Sequence, residues 1–562
     1  MDRPPAVPEK SHHQKKSISV VSRTYSVYDS SGAKRPGARE RNIKYGSGKF
    51  SGIVLDPQPG DSPLDPLNWP RWRKELFYVG ICLAGAIVGI FRTLLVSVNG
   101  VLATQFGVSY TAAAAFTGVP LIFAAFSAFG ASVLAQVCGK RLIYLVASLT
   151  LLTASLWNMH VEQSYGAFMA SRIFQALGWG PFEVLLLVSI KDVFFVHERK
   201  VRTIFFNVLL IGTTWGAPIL GGRLSQSKHG FGDQIMYVNF AQSLSILLFI
   251  IAMPETSYHR RKNTKLLRSD SASITTVVIT SEQPTGSPFQ RYTRTLNLMP
   301  YMRPFSMRKF QQSLRALVAP STILISLLTI PLVASSIAIA QNVSLIFSGN
   351  PIFLFPARVG YLFALPAGFA VLAYIIFSFA HVFLEKKNAA LNPSSTRTLG
   401  WASAGFLIGV TGLLAFGIYT VAKLAPVGKS FIAGIPASDF SLKIVSLLFG
   451  IIIAGSVLLH AAGSAHLASA SIDLAPSHDM LQNIMAGILV MAFPGFVSSL
   501  ERLKGTVIAI TVIQIVLGST VGAIMFTMGE RIKRMDENLL SIKSQDAKSI
   551  KRWSTNKSFF EA

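Results

Sequence analysis

The sequence predicts an all-α membrane protein, twelve transmembrane helices in two six-helix bundles, on three observations. Twelve apolar stretches each approach or exceed the roughly twenty residues that a helix needs to cross about 30 Å of hydrocarbon. They divide six and six around a basic loop at 254–316. The composition, 51% hydrophobic against 14% charged with a mean hydropathy of +0.47, lies outside the range of soluble domains. Paired six-helix halves favour moving a solute over transforming it, so enzyme chemistry is not expected.

The first bundle, 77–253, takes its spans from 77–98, 111–135, 141–158, 165–190, 201–222 and 234–253. The second, 317–528, takes them from 317–341, 358–382, 399–421, 444–470, 481–500 and 506–528. Ahead of them, 1–76 reads as a cytoplasmic tail. Its stretch 1–70 is rich in Ser, Pro, Gly, Lys and Arg without an apolar period, a composition of disorder. The loop 254–316 joins a Ser/Thr-rich stretch at 269–287 to a basic, aromatic segment, with Tyr292, Tyr301, Phe305 and Phe310 among Arg294, Arg303, Arg308 and Lys309. That segment reads either as a helix lying in the membrane interface or as a plain linker. Residues 529–562 read as a second cytoplasmic tail.

The net charge is +26, but the basic residues crowd the tails and loops instead of forming a compact domain interleaved with aromatics, so nucleic acid is not an expected partner. Arg71, Arg73 and Lys74, Lys140 and Arg141, Lys191, Arg199, Lys200 and Arg202, Arg260, Arg261 and Lys262, and Arg531, Lys533 and Arg534 share one side if both termini are cytoplasmic. The positive-inside bias selects that orientation. Lys423, Lys429, Lys443, Arg502 and Lys504 fall outside, so the first half carries the assignment. Asn342, in Asn342-Val343-Ser344, then faces outward as a glycosylation acceptor. The plasma membrane is the default location and the vacuolar membrane its rival. Cys82 and Cys138 read as free thiols, too few for a disulfide framework or a Cys-based metal centre. With no Walker loop, HExxH helix or G-x-S-x-G elbow, no cofactor or metal is expected, and transport would draw on an ion or solute gradient.

A charge inside hydrocarbon costs at least a few kcal/mol unless it is paired or wetted, which marks the polar residues of the spans as the candidate site. Arg92 shares a helix face with Asn99 and reads as a substrate contact, a counter-ion to a carboxylate, or a group reaching the outer interface. In span 4, Arg172, Gln175 and Glu183 stand out. Eleven steps of 100° bring Arg172 and Glu183 to within about 20° of one face, about 16 Å apart. Pro181 bends the helix between them. A charged stripe facing a central cavity and an Arg satisfied by neighbouring helices both fit. Gly212, Gly216, Pro218, Gly221 and Gly222 place small residues and a bend in span 5, for close packing or for rocking. In span 10, His460, His466 and Asp473 offer either a proton carrier or structural groups.

Several of these segments resemble the major facilitator superfamily, in its fungal twelve-span drug:proton antiporter group and that group's polyamine- and cation-handling relatives. The resemblance covers 65–535. Asp65-Pro66-Leu67-Asn68-Trp69, followed by Arg73 and Lys74, is similar to that group's lead-in to the first span, where Trp would anchor at the headgroup level. Pro254-Glu255-Thr256 resembles its ending after span 6. Arg172-x-x-Gln175-Ala176-x-Gly178 resembles R-x-x-Q-G-x-G with Ala176 for a glycine. Gly212 to Gly222 resembles the antiporter motif g-x-x-x-G-P-x-x-G-G with Ala217 inserted or substituted, which leans toward export. In loop 2–3 only Gly139-Lys140-Arg141 survives of G-x-L-a-D-r-x-G-R-R, Gln136 standing for the Asp. Loop 4–5 keeps Asp192, Phe194, Phe195, Glu198 and Arg199. The resemblance implies the major facilitator fold and an inner gate built from Gly139, Lys140, Arg141, Asp192, Glu198 and Arg199.

The expected function is secondary active transport of a small organic molecule by alternating access, as proton-coupled efflux. Its partners would be that solute, protons and membrane lipids, the protein acting as a monomer. Proton-driven import of a cationic solute such as a polyamine is the alternative, with Glu183 as the only clear carboxylate among the spans and Arg92 and Arg172 weighing against a cation. A transport-dead membrane sensor is the third reading, motivated by the eroded loop 2–3.

Overall fold

The computed structural model describes residues 22–24, 42–45, 55–60, 65–161, 164–227, 230–258, 296, 304–348, 354–387, 394–432, 441–471, 474–496 and 500–540. In chain order the helices are α1 (Arg71–Thr93), continued by a 3-10 turn (Leu94–Val98) into α2 (Asn99–Gln105), then α3 (Tyr110–Cys138), α4 (Lys140–Met159), α5 (Tyr165–Val193), α6 (Val196–Leu224) and α7 (Phe231–Ala252). They continue with α8 (Met307–Leu317), α9 (Pro320–Phe347), α10 (Pro356–Tyr361), α11 (Ala364–Lys387), α12 (Ser394–Ile432), α13 (Leu442–Ala470), α14 (Leu474–Phe496) and α15 (Leu500–Leu539). Eleven spans among the described residues are long and apolar enough to cross a membrane. The helix α14 joins them in the bundle, packed between α3 and α9.

Local sequence sets the helix ends. Ser109 and Ser164 accept hydrogen bonds from the backbone N–H of Ala112 and Ala167, capping α3 and α5. Pro320 and Pro356 occupy the first positions of α9 and α10, where a missing N–H costs nothing. Gly139 turns the chain between α3 and α4 at φ +84°, a conformation that disfavours any side chain. Large apolar side chains cover the periphery, Phe240 at 78% and Phe526 at 76% exposure among them, as lipid-facing surface requires.

Three cores organise the interior. One belongs to the first half and centres on Phe77, Trp179, Phe182 and Phe249. A second, built from Ala316, Leu332, Leu458 and Ile532, belongs to the second half. The third is common to both, joining Leu95, Val98, Phe116 and Phe168 to Phe347, Phe363, Phe449 and Val490. The basic loops meet at the opposite end: Lys140 with Asp192, Arg202 with Glu75, and Arg141 Nη2 on the Ile250 carbonyl at 3.0 Å. We call this basic end inner and the shared-core end outer. The halves are therefore joined at the outer end and keep separate cores toward the inner one.

Several boundaries differ from expectation. Helix α1 begins at Arg71 instead of residue 77, and α15 runs to Leu539, through the start of the supposed second tail. Within 1–76, Ser22–Thr24 pairs antiparallel with Asn42–Lys44, and Leu55, Asp65, Leu67 and Trp69 are buried. Trp69 lies against Phe77 (6.0 Å between ring centroids) and under the Arg73 guanidinium at 4.5 Å, so it is a packed residue and not a headgroup anchor. Trp72, 63% exposed, has the open position instead. Asn342 lies inside α9 at 1% exposure, donating to the carbonyls of Ala338 and Val490 at 2.8 and 3.1 Å. It is no glycosylation acceptor, because α9 continues six residues further than the apolar run implied. The stretch 269–287, Tyr292, Arg294, Tyr301, Arg303 and Asp473 lie outside the described residues.

Candidate solute and proton pathway

A polar cluster bridges the halves directly beneath the shared outer core. Arg92 on α1 and Glu183 on α5 approach to 3.3 Å. Asn483 on α14 joins both, its Oδ1 accepting from Arg92 Nη2 at 3.1 Å and its Nδ2 donating to Glu183 Oε2 at 3.0 Å. One turn toward the inner end of α14 stands Asp479, within electrostatic reach of Arg92 and 3.8 Å from His460 Nε2 on α13. His460 Nδ1 meets Gln482 Oε1 at 2.9 Å, and Ser464 reaches Asp479 Oδ1 at 3.5 Å. His460 and Asp479 keep 36% and 48% side-chain exposure, Arg92 and Glu183 21% and 14%. The ions are thus paired and bordered by open space, the two conditions under which charge is tolerated at this depth.

Arg172 has different company. It is 2% exposed, donates from Nε to the Phe116 carbonyl at 3.2 Å and from Nη1 to Gln175 Oε1, and sits 5.6 Å over the Trp179 ring. Asn158 and Ser171 extend this network within the first bundle. Their positions around α5 therefore send Arg172 and Gln175 into α3 and α4, and Glu183 toward α14. The structure does not bring Arg172 and Glu183 together.

Asn99 belongs to an outer seal. Its Nδ2 donates to the Gln341 carbonyl at 2.9 Å, the Gly100 N–H to Ser344 Oγ at 3.0 Å, Ser344 Oγ to the Ser97 carbonyl at 3.2 Å, and Gln341 Nε2 to the Arg92 carbonyl at 3.2 Å. Seal and charge cluster thus share Arg92. Glycines make the approach possible. A Cβ on Gly222 would lie 2.3 Å from the Pro356 carbonyl of the second half, one on Gly221 2.3 Å from the Leu94 carbonyl, and one on Gly118 2.7 Å from that of Gly487. Gly212 and Gly216 stand freer, with Val371 at 3.5 Å from the first and no neighbour within 4 Å of the second.

At the inner end Lys140 pairs with Asp192, while Arg199 Nε donates to the Phe194 carbonyl at 2.8 Å. The acid that closes this corner is Glu255, whose carboxylate accepts from the backbone N–H of Lys140 (3.1 Å), Arg141 (2.9 Å) and Ser257 (2.7 Å). It caps the N-terminus of α4, where two orphan N–H groups and the helix dipole favour an anion. A Cβ on Gly139 would lie 2.4 Å from Glu255 Oε2. Glu255→Gln is expected to lower stability by about 1–2 kcal/mol, read as an earlier thermal midpoint in detergent. An unshifted midpoint would show that the cap is not needed.

Sequence reasoning passed over Asp479 because Ser477, His478 and Asp479 precede the apolar run that starts at 481, and over Gln482 and Asn483 because uncharged amides at the edge of that run do not stand out. Helical spacing was the available signal: Asp479 and Asn483 stand four apart, on one face.

No family model matches the chain. It is 29% identical over 213 residues to an uncharacterized MFS-type transporter of Schizosaccharomyces pombe, which is 38% of this chain and 36% of that protein. It is 27% identical over 203 residues to Protein HOL1 of Saccharomyces cerevisiae, 36% of this chain and 34% of that protein. The chain spans about a third of the length of the curated relatives it matches. Among solved structures, a POT family transporter in complex with 5-aminolevulinic acid matches 83% of this chain and 97% of its own at TM-score 0.52 and 14% identity. That likeness shows the fold: paired six-helix bundles of the major facilitator kind.

Proposed function

We propose that this multi-span membrane protein is a secondary transporter that moves a small organic solute by alternating access, coupled to protons. The Arg92–Glu183–Asn483 clasp carries the reading: it ties α1 and α5 to α14 immediately below the seal and borders open space. Rocking the halves apart at the outer end parts Asn483 from the ion pair, so occupancy of the cluster by solute or proton biases which end is open. Glu183, Asp479 and His460 supply groups that take up and release protons. The MFS-type name of one relative and the transporter fold support the reading. Both tails are cytoplasmic, the plasma membrane is the site of action, and the glycine-rich end of α6 favours the outward direction.

Asp479 favours a second reading, inward movement of a cationic solute. With Arg92 paired to Glu183, Asp479 adds a second carboxylate to the cluster, which runs against the sequence expectation of a basic cavity. An untargeted comparison of intracellular small molecules with and without the protein, at two external pH values, tests both. A pH-dependent change is expected. A solute retained in cells lacking the protein supports efflux, and a cation depleted in them supports import. No difference at either pH overturns transport.

A further inference from the structure

We propose that His460, His478 and Asp479 form a binding site for one divalent transition-metal ion, of the Zn2+ or Co2+ class, between α13 and α14. One ligand atom from each lies within 4.8 Å of the other two. The geometry around His460 is the strongest argument. Its Nδ1 faces Gln482 Oε1, an atom that only accepts, so Nδ1 carries a hydrogen, and in the neutral ring Nε2 then holds the lone pair. That lone pair points at a carboxylate oxygen 3.8 Å away, too far for a hydrogen bond. With the ring neutral, Nε2 and the carboxylate oxygen are two acceptors facing one gap, which a cation would bridge. Their separation is close to the ~3.4 Å that spans two ligands at about 2.0–2.1 Å from one tetrahedral ion.

The second histidine completes the set. His478 is fully buried and stacks on His460 at 5.9 Å between ring centroids, 25° from parallel. Its Nδ1 meets Ser326 Oγ at 2.9 Å, while Nε2 meets the Thr329 hydroxyl at 3.3 Å; with the Thr329 hydrogen on the Ile325 carbonyl, Nε2 is the donor in that long contact when no ion is bound. The other tautomer, with Nδ1–H donating to Ser326, gives up the 3.3 Å contact to Thr329 and leaves Nε2 as a ligand, the usual arrangement in which an outer oxygen orients a metal-bound imidazole. Gln482 plays that role for His460. Three protein ligands of this hardness suit Zn2+ or Co2+ over Mg2+ or Ca2+. Arg92, the cation nearest Asp479, is offset by Glu183. A fourth position stays open toward the exposed side of His460 and Asp479.

The test needs no transport, so its outcome is independent of the proposed function. The full chain, purified in detergent without a histidine tag, is titrated with Co2+ and followed by calorimetry and visible absorption. One ion per chain with d–d bands near 500–650 nm is expected, and Asp479→Asn or His460→Gln should weaken binding at least about tenfold. X-ray absorption at the cobalt edge on the unmodified chain should show two imidazole ligands, which guards against variants that fail to fold. No saturable binding, unchanged binding in Asp479→Asn, or a spectrum without imidazole overturns the site.

Discussion

Glu183→Leu is expected to cost about 3–5 kcal/mol of stability and to abolish solute movement, because it leaves Arg92 charged and uncompensated inside the membrane. Arg92→Leu should be similarly harmful, since Glu183 then keeps only Asn483. The double variant, in which both charges are gone, should recover most of the lost stability. It should recover none of the transport, because the ion pair that links α1 and α5 to Asn483 on α14 is gone. Thermal unfolding of the four proteins gives the coupling energy directly, and flux in proteoliposomes gives the functional cycle. Additive losses would show that Arg92 and Glu183 do not depend on each other. Transport surviving in the double variant would remove the clasp from the mechanism.

The second large effect concerns closure of the outer end. In Gly222→Val the new Cβ would meet the Pro356 carbonyl at 2.3 Å, and in Gly487→Val it would meet the Gly118 carbonyl at 2.6 Å. Both neighbours are backbone, which cannot swing aside as a side chain would. The halves must separate there, breaking the bonds of Asn99, Gly100 and Ser344. With Cys82 and Cys138 replaced, a cysteine at Ser344, fully buried in the seal, reports the result. Maleimide applied from outside should label it at least about tenfold faster in either glycine variant, with transport correspondingly lost. Gly216→Ala, with no neighbour within 4 Å of the added Cβ, should leave both readouts unchanged.

Lipid as solvent made the architecture legible, because a long apolar run has few other meanings. Arg92 and Glu183 were legible for the same reason: a charge among apolar neighbours stands out in a sequence. What they touch was not. Which way a side chain points depends on rotation about its helix axis and on bends at prolines such as Pro181, and these emerge only from packing against α3, α4 and α14. Arg172 was therefore readable as polar but not as internal to one bundle. Asp479 failed from the opposite cause, since polar residues in a row, Ser477, His478 and Asp479, look like a loop unless spacing is weighed above hydropathy. Glu255 was visible only as part of a resemblance. Its chemistry comes from α4, more than a hundred residues earlier in the chain.

The short helix α8 touches α3 of one half and α14 of the other, with Phe310 6.3 Å from Phe129 and 5.9 Å from Phe305. In the proposed rocking of the halves, a single body gripping both works as a clutch. Each swing obliges it to slip on one partner while holding the other. Under the proposed rocking, the width of the inner-end doorway is then governed by this segment, and its aromatic grip sets how readily that doorway changes size.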